Sequence, residues 1–339
     1  MYKKIVSPFL FLFDPESIHN FTFTLLKLSF KFPLTKYIVS FLLSLENPKL
    51  EKQLFGLNFK NPIGVAAGLD KNAVHINEFS SFGFGFIEIG TITPEPQIGN
   101  PKKRLFRLEK DNAIINRMGF NNEGIEKILP RLNDNFDVII GGNIGKNKST
   151  PNSEAKSDYL KCFKKLYNYI DYFVINISSP NTPGLRELQT PTFLKDLFKD
   201  LNIERSNRKK YKPILIKISP DLAKNKIDEL LRIIESCKID GIVATNTTVN
   251  FPKLKSKSKN ESGGLSGAPL QKKSNQIISY ISKKTEGKLP IIGVGGILSA
   301  KDAIDKLKCG AHLVQLYTGI IYEGPVIAKK IKKQILEEI

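Results

Sequence analysis

The stretch PIIGVGGILSAKDAIDKLKCGAHLVQLYTG, residues 290–319, decides the fold that this sequence predicts. It begins with the apolar run Pro290–Val294 and ends near a second one, Leu313–Leu316, and the segment between them has the length of a helix. Short apolar runs separated by helix-length segments are typical of parallel strands joined by helices. Glycine and hydroxyl residues follow the two runs, as Gly295-Gly296 and Tyr317-Thr318. The stretch therefore predicts a strand–helix–strand unit with polar turns after its strands.

Six further runs of the same kind precede this unit. They are Pro62–Ala66, Phe86–Gly90, Val138–Ile144, Tyr172–Asn176, Ile214–Ile218 and Gly241–Thr245. Eight such strands with intervening helices close a (β/α)8 barrel, and a barrel of ~250 residues folds as one unit. A doubly wound open sheet is the alternative, but no GxGxxG follows the first strand, as its dinucleotide-binding version would require. We expect an α/β protein whose TIM barrel occupies residues 51–339.

Residues 1–50 predict a separate small module of two amphipathic helices. Asp14 can cap the first helix, and Pro15 suits the first helical position, where its missing N–H costs nothing. Apolar residues then recur at helical spacing, namely Ile18, Phe21, Leu25 and Leu28, and after Pro33 also Leu34, Ile38, Phe41 and Leu45. The excess of apolar residues fits either packing against the barrel or binding at a membrane surface, and the pattern alone does not separate the two.

Composition limits the classes of protein that fit. The chain is 41% hydrophobic, which is ordinary for a globular protein and excludes a disordered chain. No CxxC or HExxH motif is present, so we expect neither a disulfide framework nor a metal centre. No run reaches the ~18–20 apolar residues that span a bilayer. Pro8 interrupts the N-terminal apolar run and no small-residue cleavage site follows, so we expect no secretory signal.

The strong positive charge is the unusual feature of the composition. Lys and Arg number 52 against 33 Asp and Glu, a formal net charge of +19. Such an excess favours nucleic acid or an anionic membrane as partner, or simply a soluble lysine-rich surface. The basic run Lys253–Lys259 has no interleaved aromatic residues, as a nucleic-acid-binding stretch would have, and is typical of a solvated loop.

Polar and glycine residues cluster at the carboxyl ends of the predicted strands, where the active site of such a barrel lies. The groups are Gly68-Leu69-Asp70-Lys71, Gly90-Thr91, Asn143, Asn176–Ser179, Lys217, Thr245-Asn246-Thr247, Gly295-Gly296 and Tyr317-Thr318. The last two groups follow strands seven and eight, where barrels commonly bind phosphate, although ordinary turns also favour glycine.

Asparagines and lysines in these groups indicate the ligand. A carboxamide offers a donor and an acceptor, which match the edge of a cyclic amide or imide. Four asparagines lie in strand-end or loop motifs, although each taken alone is a common turn former: Asn116, Asn176, Asn181 and Asn246. Lys71 and Lys217 would need an anion among the strand ends, either a substrate carboxylate or negative charge developing on a cofactor ring.

At these residues the chain closely resembles the quinone-dependent, membrane-associated dihydroorotate dehydrogenases. The resemblance covers nearly the whole chain, including FDPESIH (13–19). The matching motifs are NPIGVAAGLDKNA (61–73), IEIGTITPEPQIGNPKKRLFRL (87–108), INRMGFNNEG (115–124), NIGKNKSTP (143–151), NISSPNTPGLRELQ (176–189), KISPDL (217–222), ATNTT (244–248), GGLSGAPL (263–270) and IIGVGGI (291–297).

The resemblance implies an FMN-containing barrel that oxidises (S)-dihydroorotate to orotate in pyrimidine synthesis. In this family a base removes a proton while hydride passes to the flavin, and a quinone near the N-terminal helices reoxidises it. The base lies in the motif NxSSPNTPG, which places it at Ser179 here. The soluble classes carry cysteine at that position and lack the helical module. The serine and the module therefore both indicate the quinone-dependent class. The loop Pro180–Arg186 is expected to close over the substrate.

The resemblance also assigns the site residue by residue. It implies FMN contacts at Ala67, Gly68, Leu69, Asp70, Lys71, Thr91, Asn143, Asn176, Lys217, Thr245, Gly267, Gly296, Tyr317 and Thr318. It implies substrate contacts at Lys71, Asn116, Arg117, Met118, Gly119, Phe120, Asn176, Asn181, Asn246 and Thr247. The family often has serine where this chain has Thr318, which keeps the hydroxyl.

Partners and location follow from the same resemblance. We expect a monomer bound peripherally to the cytoplasmic side of the cell membrane, with dihydroorotate, orotate and a membrane quinone as ligands and no nucleic acid. A flavin-dependent tRNA dihydrouridine synthase is the rival that the charge would suit. That family uses a cysteine as its general acid, and none of Cys162, Cys237 and Cys309 lies in a matching loop. A non-enzymatic basic module is the second rival, and no nucleic-acid-reading motif supports it.

Overall fold

The computed structural model describes residues 2–338, and the strands of this part of the chain form a barrel with two small accessory sheets. In chain order the strands are β1 (Lys52–Leu54), β2 (Leu57–Phe59), β3 (Ile63–Val65), β4 (Phe86–Ile92), β5 (Leu105–Leu108), β6 (Ala113–Asn116), β7 (Ile139–Ile144), β8 (Tyr172–Asn176), β9 (Ile214–Ile218), β10 (Gly241–Ala244), β11 (Gly264–Gly267), β12 (Ile291–Val294) and β13 (Leu313–Leu316).

The barrel is closed and its strands are parallel, in the order β10-β12-β13-β3-β4-β7-β8-β9. Its eight strands are the eight predicted runs, with bounds that differ by at most two residues. The predicted (β/α)8 barrel is therefore confirmed. The prediction succeeds because strands buried on both faces are continuous apolar runs, which are easy to recognise in a sequence.

Helices surround the barrel, and further helices precede and follow the barrel strands in the chain. In chain order they are α1 (Ser7–Phe11), α2 (Pro15–Ser29), α3 (Pro33–Leu43), α4 (Ile76–Ser81), α5 (Ile125–Ile128), α6 (Ala155–Leu166), α7 (Pro191–Ser206), α8 (Lys224–Ser236), α9 (Gln271–Lys284), α10 (Ala300–Lys308), α11 (Thr318–Glu323) and α12 (Ile327–Glu338). The main hydrophobic core lies between these helices and the outer face of the barrel.

The two predicted N-terminal helices are α2 and α3. Asp14 caps α2 as predicted, because its Oδ1 accepts a hydrogen bond from the backbone N–H of Ser17 at 3.0 Å. One face of the pair packs on the main core through Phe23, Leu26, Phe30, Val39 and Leu43. The opposite face exposes large apolar side chains, among them Phe21, Leu25, Leu28, Leu34 and Phe41. None of the described helices is both long and apolar enough to cross a membrane.

Five short strands were not among the predicted runs. The hairpin β1–β2 packs across the amino-terminal end of the barrel, where Phe55 and Phe59 join a core cluster with Phe86 and Tyr172. Strands β5, β6 and β11 form an antiparallel sheet near the carboxyl end. These strands are three or four residues long, and β1, β2 and β5 are not buried throughout, so they lack the continuous apolar signature of the barrel strands.

Candidate functional site

A cavity of about 140 Å³ lies at the carboxyl end of the barrel. It is lined by most of the residues predicted for the site, which come from different strand ends and loops: Ala67, Gly68, Lys71, Thr91, Asn116, Met118, Gly119, Phe120, Asn176, Ser179, Asn181, Lys217, Thr245, Asn246, Thr247, Gly267, Gly296, Tyr317 and Thr318. Barrel closure thus places residues from across the sequence around one volume.

A buried polar layer forms the floor beneath the cavity. The carboxylate of Glu88, which is fully buried in β4, accepts hydrogen bonds from Asn143 Nδ2 at 2.7 Å and Gln315 Nε2 at 2.6 Å. Lys217 Nζ lies 3.3 Å from the same carboxylate. A buried carboxylate is costly unless it is paired and hydrogen-bonded, and here both conditions hold. The layer fixes Lys217 at the cavity with its charge partly balanced from below.

Thr91, Asn143 and Asn176 are linked by hydrogen bonds across three barrel strands. Thr91 Oγ1 donates to Asn143 Oδ1 at 2.5 Å, and Asn176 Nδ2 donates to Thr91 Oγ1 at 2.9 Å. Nearby, the buried hydroxyl of Thr245 has no hydrogen-bond partner in the described part of the chain. A buried polar atom without a partner is rare in a folded protein, so a ligand atom at this cavity would satisfy it.

The turn after β12 has a backbone conformation and a close packing contact that both require glycine. Gly296 has a φ of +78°, a left-handed conformation that favours glycine, and a Cβ there would collide with the backbone of Gln271. Beside this turn the hydroxyls of Ser266 and Thr318 are 2.8 Å apart. Glycine turns with backbone N–H groups and adjacent hydroxyls are suited to a phosphate.

Ser179 lies in the loop after β8 and lines the cavity with little exposure to solvent. Its Oγ accepts a hydrogen bond from the backbone N–H of Asn181 at 3.3 Å. Asn181 Nδ2 in turn donates to Asn116 Oδ1 at 3.1 Å, and Asn246 Nδ2 donates to Ser178 Oγ at 3.0 Å. The asparagines are therefore oriented by one another, with Ser179 among them.

Lys71 lies in the wall between this cavity and a second, larger one. Removal from solvent lowers the pKa of Lys71 to about 8, against the opposing effect of the Glu16 carboxylate. The ammonium group is therefore close to its point of titration at neutral pH. A carboxylate ligand would stabilise the charged form, because an opposite charge nearby favours ionisation.

The second cavity, of about 720 Å³, lies between the N-terminal helices and the barrel. Its walls are mostly apolar, with Phe23, Leu26 and Phe79 among the lining residues. Burial lowers the pKa of His19 to about 3, assisted by the nearby Lys71, so this histidine is neutral. Tyr317 borders both cavities, as Lys71 does, and burial raises its pKa to about 12. Met118 also lines both cavities.

Four predicted residues do not line the cavity. Asn143 lies in the layer below it, as described above. Leu69 and Asp70 line the larger cavity, and the Asp70 carboxylate accepts the backbone N–H groups of Val74 and His75. Arg117 lies over the ring of Phe106 and pairs with Glu261 at 2.7 Å. Side-chain direction within a loop depends on such tertiary partners, which a motif does not reveal.

Sequence reasoning missed several residues of the site. Glu88 and Gln315 lie within barrel strands and were not among the predicted site residues. A charged residue inside an otherwise apolar run, as in FIEIG (86–90), is the signal that could have identified Glu88.

A metal ion has no candidate position in the described residues 2–338. No group of three or more His, Cys, Asp or Glu side chains there is arranged to hold one. The residues that line the smaller cavity offer hydroxyl, carboxamide and ammonium groups beside a glycine turn.

Comparisons with known proteins agree on one family. The family model for dihydroorotate dehydrogenase matches residues 49–339. A relative from Christiangramia forsetii, named dihydroorotate dehydrogenase (quinone), is 56% identical over 339 residues, covering 100% of this chain and 99% of its own. One of the same name from Idiomarina loihiensis is 45% identical, covering 98% and 99%. The crystal structure of ligand-free DHODH from Eimeria tenella has 38% identity and a TM-score of 0.88, covering 96% and 94%.

Proposed function

This chain belongs to the dihydroorotate dehydrogenase family, and we propose that it binds FMN at the barrel mouth and uses Ser179 as the base of the reaction. The enzyme oxidises (S)-dihydroorotate to orotate in pyrimidine biosynthesis, with a quinone as electron acceptor. The tRNA dihydrouridine synthase considered as a rival is set aside, because quinone-dependent dihydroorotate dehydrogenases match the chain over its whole length.

The residues around the smaller cavity fit FMN. The glycine turn at Gly296 and the hydroxyls of Ser266 and Thr318 would hold the phosphate. The unpartnered hydroxyl of Thr245 and the amide of Asn176 would contact the rest of the cofactor, and Asn143 in the layer below would orient Asn176. When bound, FMN supplies the acceptor for the hydride of dihydroorotate and passes the electrons to the quinone. Lys217, held in place by Glu88, would stabilise negative charge on the flavin ring.

The substrate would be held by the asparagines and by Lys71. Carboxamides of Asn116, Asn181 and Asn246 offer paired donors and acceptors for the ring amides of dihydroorotate. Lys71 would pair with the substrate carboxylate, which favours its charged form. Loss of a proton and a hydride from the substrate forms the carbon–carbon double bond of orotate. Ser179 Oγ would take the proton while its own hydroxyl proton leaves along a hydrogen-bonded route, because a neutral serine cannot hold both protons. The low exposure of Ser179 limits the access of bulk water to this step.

The larger cavity would receive the quinone. It is mostly apolar, it opens beside the N-terminal helices, and Lys71 and Tyr317 border both it and the smaller cavity. The exposed apolar face of α2 and α3 would lie in the surface of an anionic membrane, with basic residues such as Lys27 and Lys31 at its flanks. We assign residues 1–50 to this membrane and quinone module and residues 51–339 to the catalytic barrel, in a monomer on the cytoplasmic side.

These assignments rest on one observation: Ser179, Lys71 and the asparagines line one cavity, beside the buried hydroxyl of Thr245 that has no hydrogen-bond partner among the described residues. The purified protein should show the yellow spectrum of bound FMN. Dihydroorotate should reduce that flavin, and a short-chain ubiquinone should reoxidise it faster than fumarate or NAD. A colourless protein that cannot be loaded with FMN, or one that prefers fumarate or NAD, would overturn the assignment of cofactor and acceptor.

A further inference from the structure

Arg186 lies at the end of the loop that carries Ser179 and contacts the backbone beside it. Its Nε donates a hydrogen bond to the carbonyl oxygen of Ser178 at 3.1 Å. Its Nη1 reaches the carboxylate of Asp221, in the loop after β9, at 3.3 Å. Its Nη2 is 3.5 Å from the carbonyl oxygen of Thr247, in the loop after β10. One guanidinium thus joins the loops that follow three successive barrel strands.

Asp221 is the fixed end of this connection. Its Oδ1 accepts hydrogen bonds from Thr248 Oγ1 at 2.5 Å and from Lys273 Nζ at 2.7 Å. The other oxygen accepts the backbone N–H of Val249 at 3.0 Å. Burial by itself would raise the pKa of Asp221, but the hydrogen bonds from Lys273, Thr248 and Val249 hold it below its ordinary value. The carboxylate is therefore charged and immobilised near neutral pH.

Ser178, the residue next to the base, is held on both of its sides. On the cavity side its hydroxyl accepts a hydrogen bond from Asn246 Nδ2 at 3.0 Å. On the opposite side its carbonyl oxygen is held by Arg186, and the carbonyl of Ile177 is held by Gln189 Nε2 at 3.0 Å. The direction of the Ser179 side chain depends on the peptide plane between residues 178 and 179. That plane contains the carbonyl that Arg186 binds.

We propose that Arg186, oriented by Asp221, is a positioning residue that sets the direction of the Ser179 hydroxyl toward the substrate. This inference rests on the proposed role of Ser179 as the base. Arg186 suits the task because its planar fork can bind a carbonyl and a carboxylate at once, with a fixed angle between them. A misplacement of about 1 Å at a reacting group can cost about 100-fold in rate.

A purely structural role would have different consequences. Arg186 and Asp221 are only partly exposed, at 28% and 10% of their side-chain surface, so their pair also contributes to stability. Loss of stability alone would lower the melting temperature and the FMN content without changing the reduction rate of each bound flavin. The rate of flavin reduction in the holoenzyme therefore separates positioning from simple support.

The pair Arg205–Asp240 provides a matched control. Arg205 Nη1 lies 2.6 Å from Asp240 Oδ2, the side chains are 8% and 18% exposed, and the same carboxylate oxygen accepts the backbone N–H of Ile214. This pair lies just before β9 and β10 begin, at the end of the barrel opposite the cavity. Arg205→Gln removes a similar ion pair without touching the Ser179 loop.

The experiment is stopped-flow reduction of FMN-loaded Arg186→Gln, Arg186→Lys and Arg205→Gln by dihydroorotate. We expect Arg186→Gln to lower the limiting rate about 10- to 100-fold with the dissociation constant of dihydroorotate changed by less than about twofold. Arg186→Lys should recover part of the rate, and Arg205→Gln should reduce at the wild-type rate. A wild-type limiting rate in Arg186→Gln, or an equal loss in Arg205→Gln, would overturn the proposal.

Coupling to Ser179 completes the test. If Arg186 acts through Ser179, Arg186→Gln should not slow flavin reduction further in a variant that already lacks the base. The losses of rate from the two substitutions would then not be additive. Ser179→Ala supplies that background, with flavin reduction followed by absorbance for as long as the slow reaction requires. Full reduction in Ser179→Ala would refute the base assignment itself. Additive losses, with Ser179→Ala impaired, would refute only the positioning role.

Discussion

Arg104 and Glu16 form a bidentate ion pair that joins the N-terminal helices to the barrel. Arg104 Nη2 lies 2.7 Å from Glu16 Oε1, and Arg104 Nε lies 3.1 Å from Oε2. Glu16 is in the first turn of α2, whereas Arg104 immediately precedes β5. Arg104 Nη1 also donates to the carbonyl oxygens of Ile98 and Asn100. The module is thus held over the larger cavity by a polar contact as well as by its apolar face.

Glu16→Gln should loosen this attachment. Breaking a buried ion pair from one side leaves the other charge uncompensated and costs about 3–5 kcal/mol. Because Glu16 lines the larger cavity and not the smaller one, quinone-dependent reoxidation should slow, while the limiting rate of reduction at saturating dihydroorotate should change little. The measurement is the two half-reactions by stopped flow, with limited proteolysis of residues 15–43. Asp305→Asn, which removes the exposed pair Lys301–Asp305, should alter neither. Equal slowing of both half-reactions would contradict this.

Ser179→Ala should abolish reduction of the flavin by dihydroorotate while FMN remains bound. The hydroxyl is the proposed proton acceptor, and removal of a general base costs about 100- to 10,000-fold in rate. Three measurements check this: the FMN spectrum, the binding of orotate beside the flavin and the rate of the reductive half-reaction. Near-normal reduction would remove Ser179 from the mechanism, whereas a loss of FMN would show that the variant fails for structural reasons.

Orotate should bind more weakly as the pH rises above about 8. The pKa of Lys71 is lowered to about 8, so its ammonium is largely charged below that pH and largely neutral above it. If the charged form holds the ligand carboxylate, the dissociation constant should rise up to about tenfold per pH unit above the pKa of the free enzyme. A titration followed by flavin absorbance between neutral and alkaline pH measures this. In Lys71→Gln the same curve should be flat, and an unchanged slope there would exclude Lys71 as the titrating group.

Lys217 should have separable roles in stability and in flavin chemistry. Lys217→Met leaves the buried carboxylate of Glu88 without its cationic partner, which should lower the free energy of unfolding by about 3 kcal/mol. Adding Glu88→Gln removes the uncompensated charge and should restore much of that stability. The double variant should still bind FMN poorly or reduce it slowly, because it lacks the positive charge. Thermal unfolding and FMN content measure the two effects, and full recovery of both would leave Lys217 a structural residue only.

The exposed face of the N-terminal helices should determine membrane binding. Leu25 and Phe41 are 56% and 73% exposed, and burying a side chain of this kind contributes about 1.5–3 kcal/mol. The double variant Leu25→Gln/Phe41→Gln should therefore bind vesicles of phosphatidylcholine and phosphatidylglycerol roughly 100-fold more weakly in a sedimentation assay. Ile203→Gln changes a comparably exposed residue on α7 and serves as the control. Equal binding by all three proteins would exclude this face as the membrane contact.

The barrel could be predicted from the sequence because each of its strands is a mostly apolar run of three to seven residues. Tyr172–Asn176 and Ile214–Ile218 were predicted to the residue, since their side chains are buried on both faces. The strands β5, β6 and β11 could not be predicted in this way. Strands β5 and β6 form a short local antiparallel pair, whereas β11 pairs with β6 across more than a hundred positions, as Gly264 with Asn116. Nothing in the local pattern of either segment specifies that partner.

By itself the sequence determined the order of the strands and the polar residues that end them, because burial of parallel strands imposes a local pattern that can be read without contacts. Only the tertiary structure decided which of those residues face the cavity. Arg117 turns to Glu261 and Phe106, whereas Arg186, which no strand-end pattern identified, reaches Ser178 and Asp221. A side chain takes the direction in which its charge and hydrogen bonds are satisfied, and those partners come from distant segments that meet only when the barrel closes.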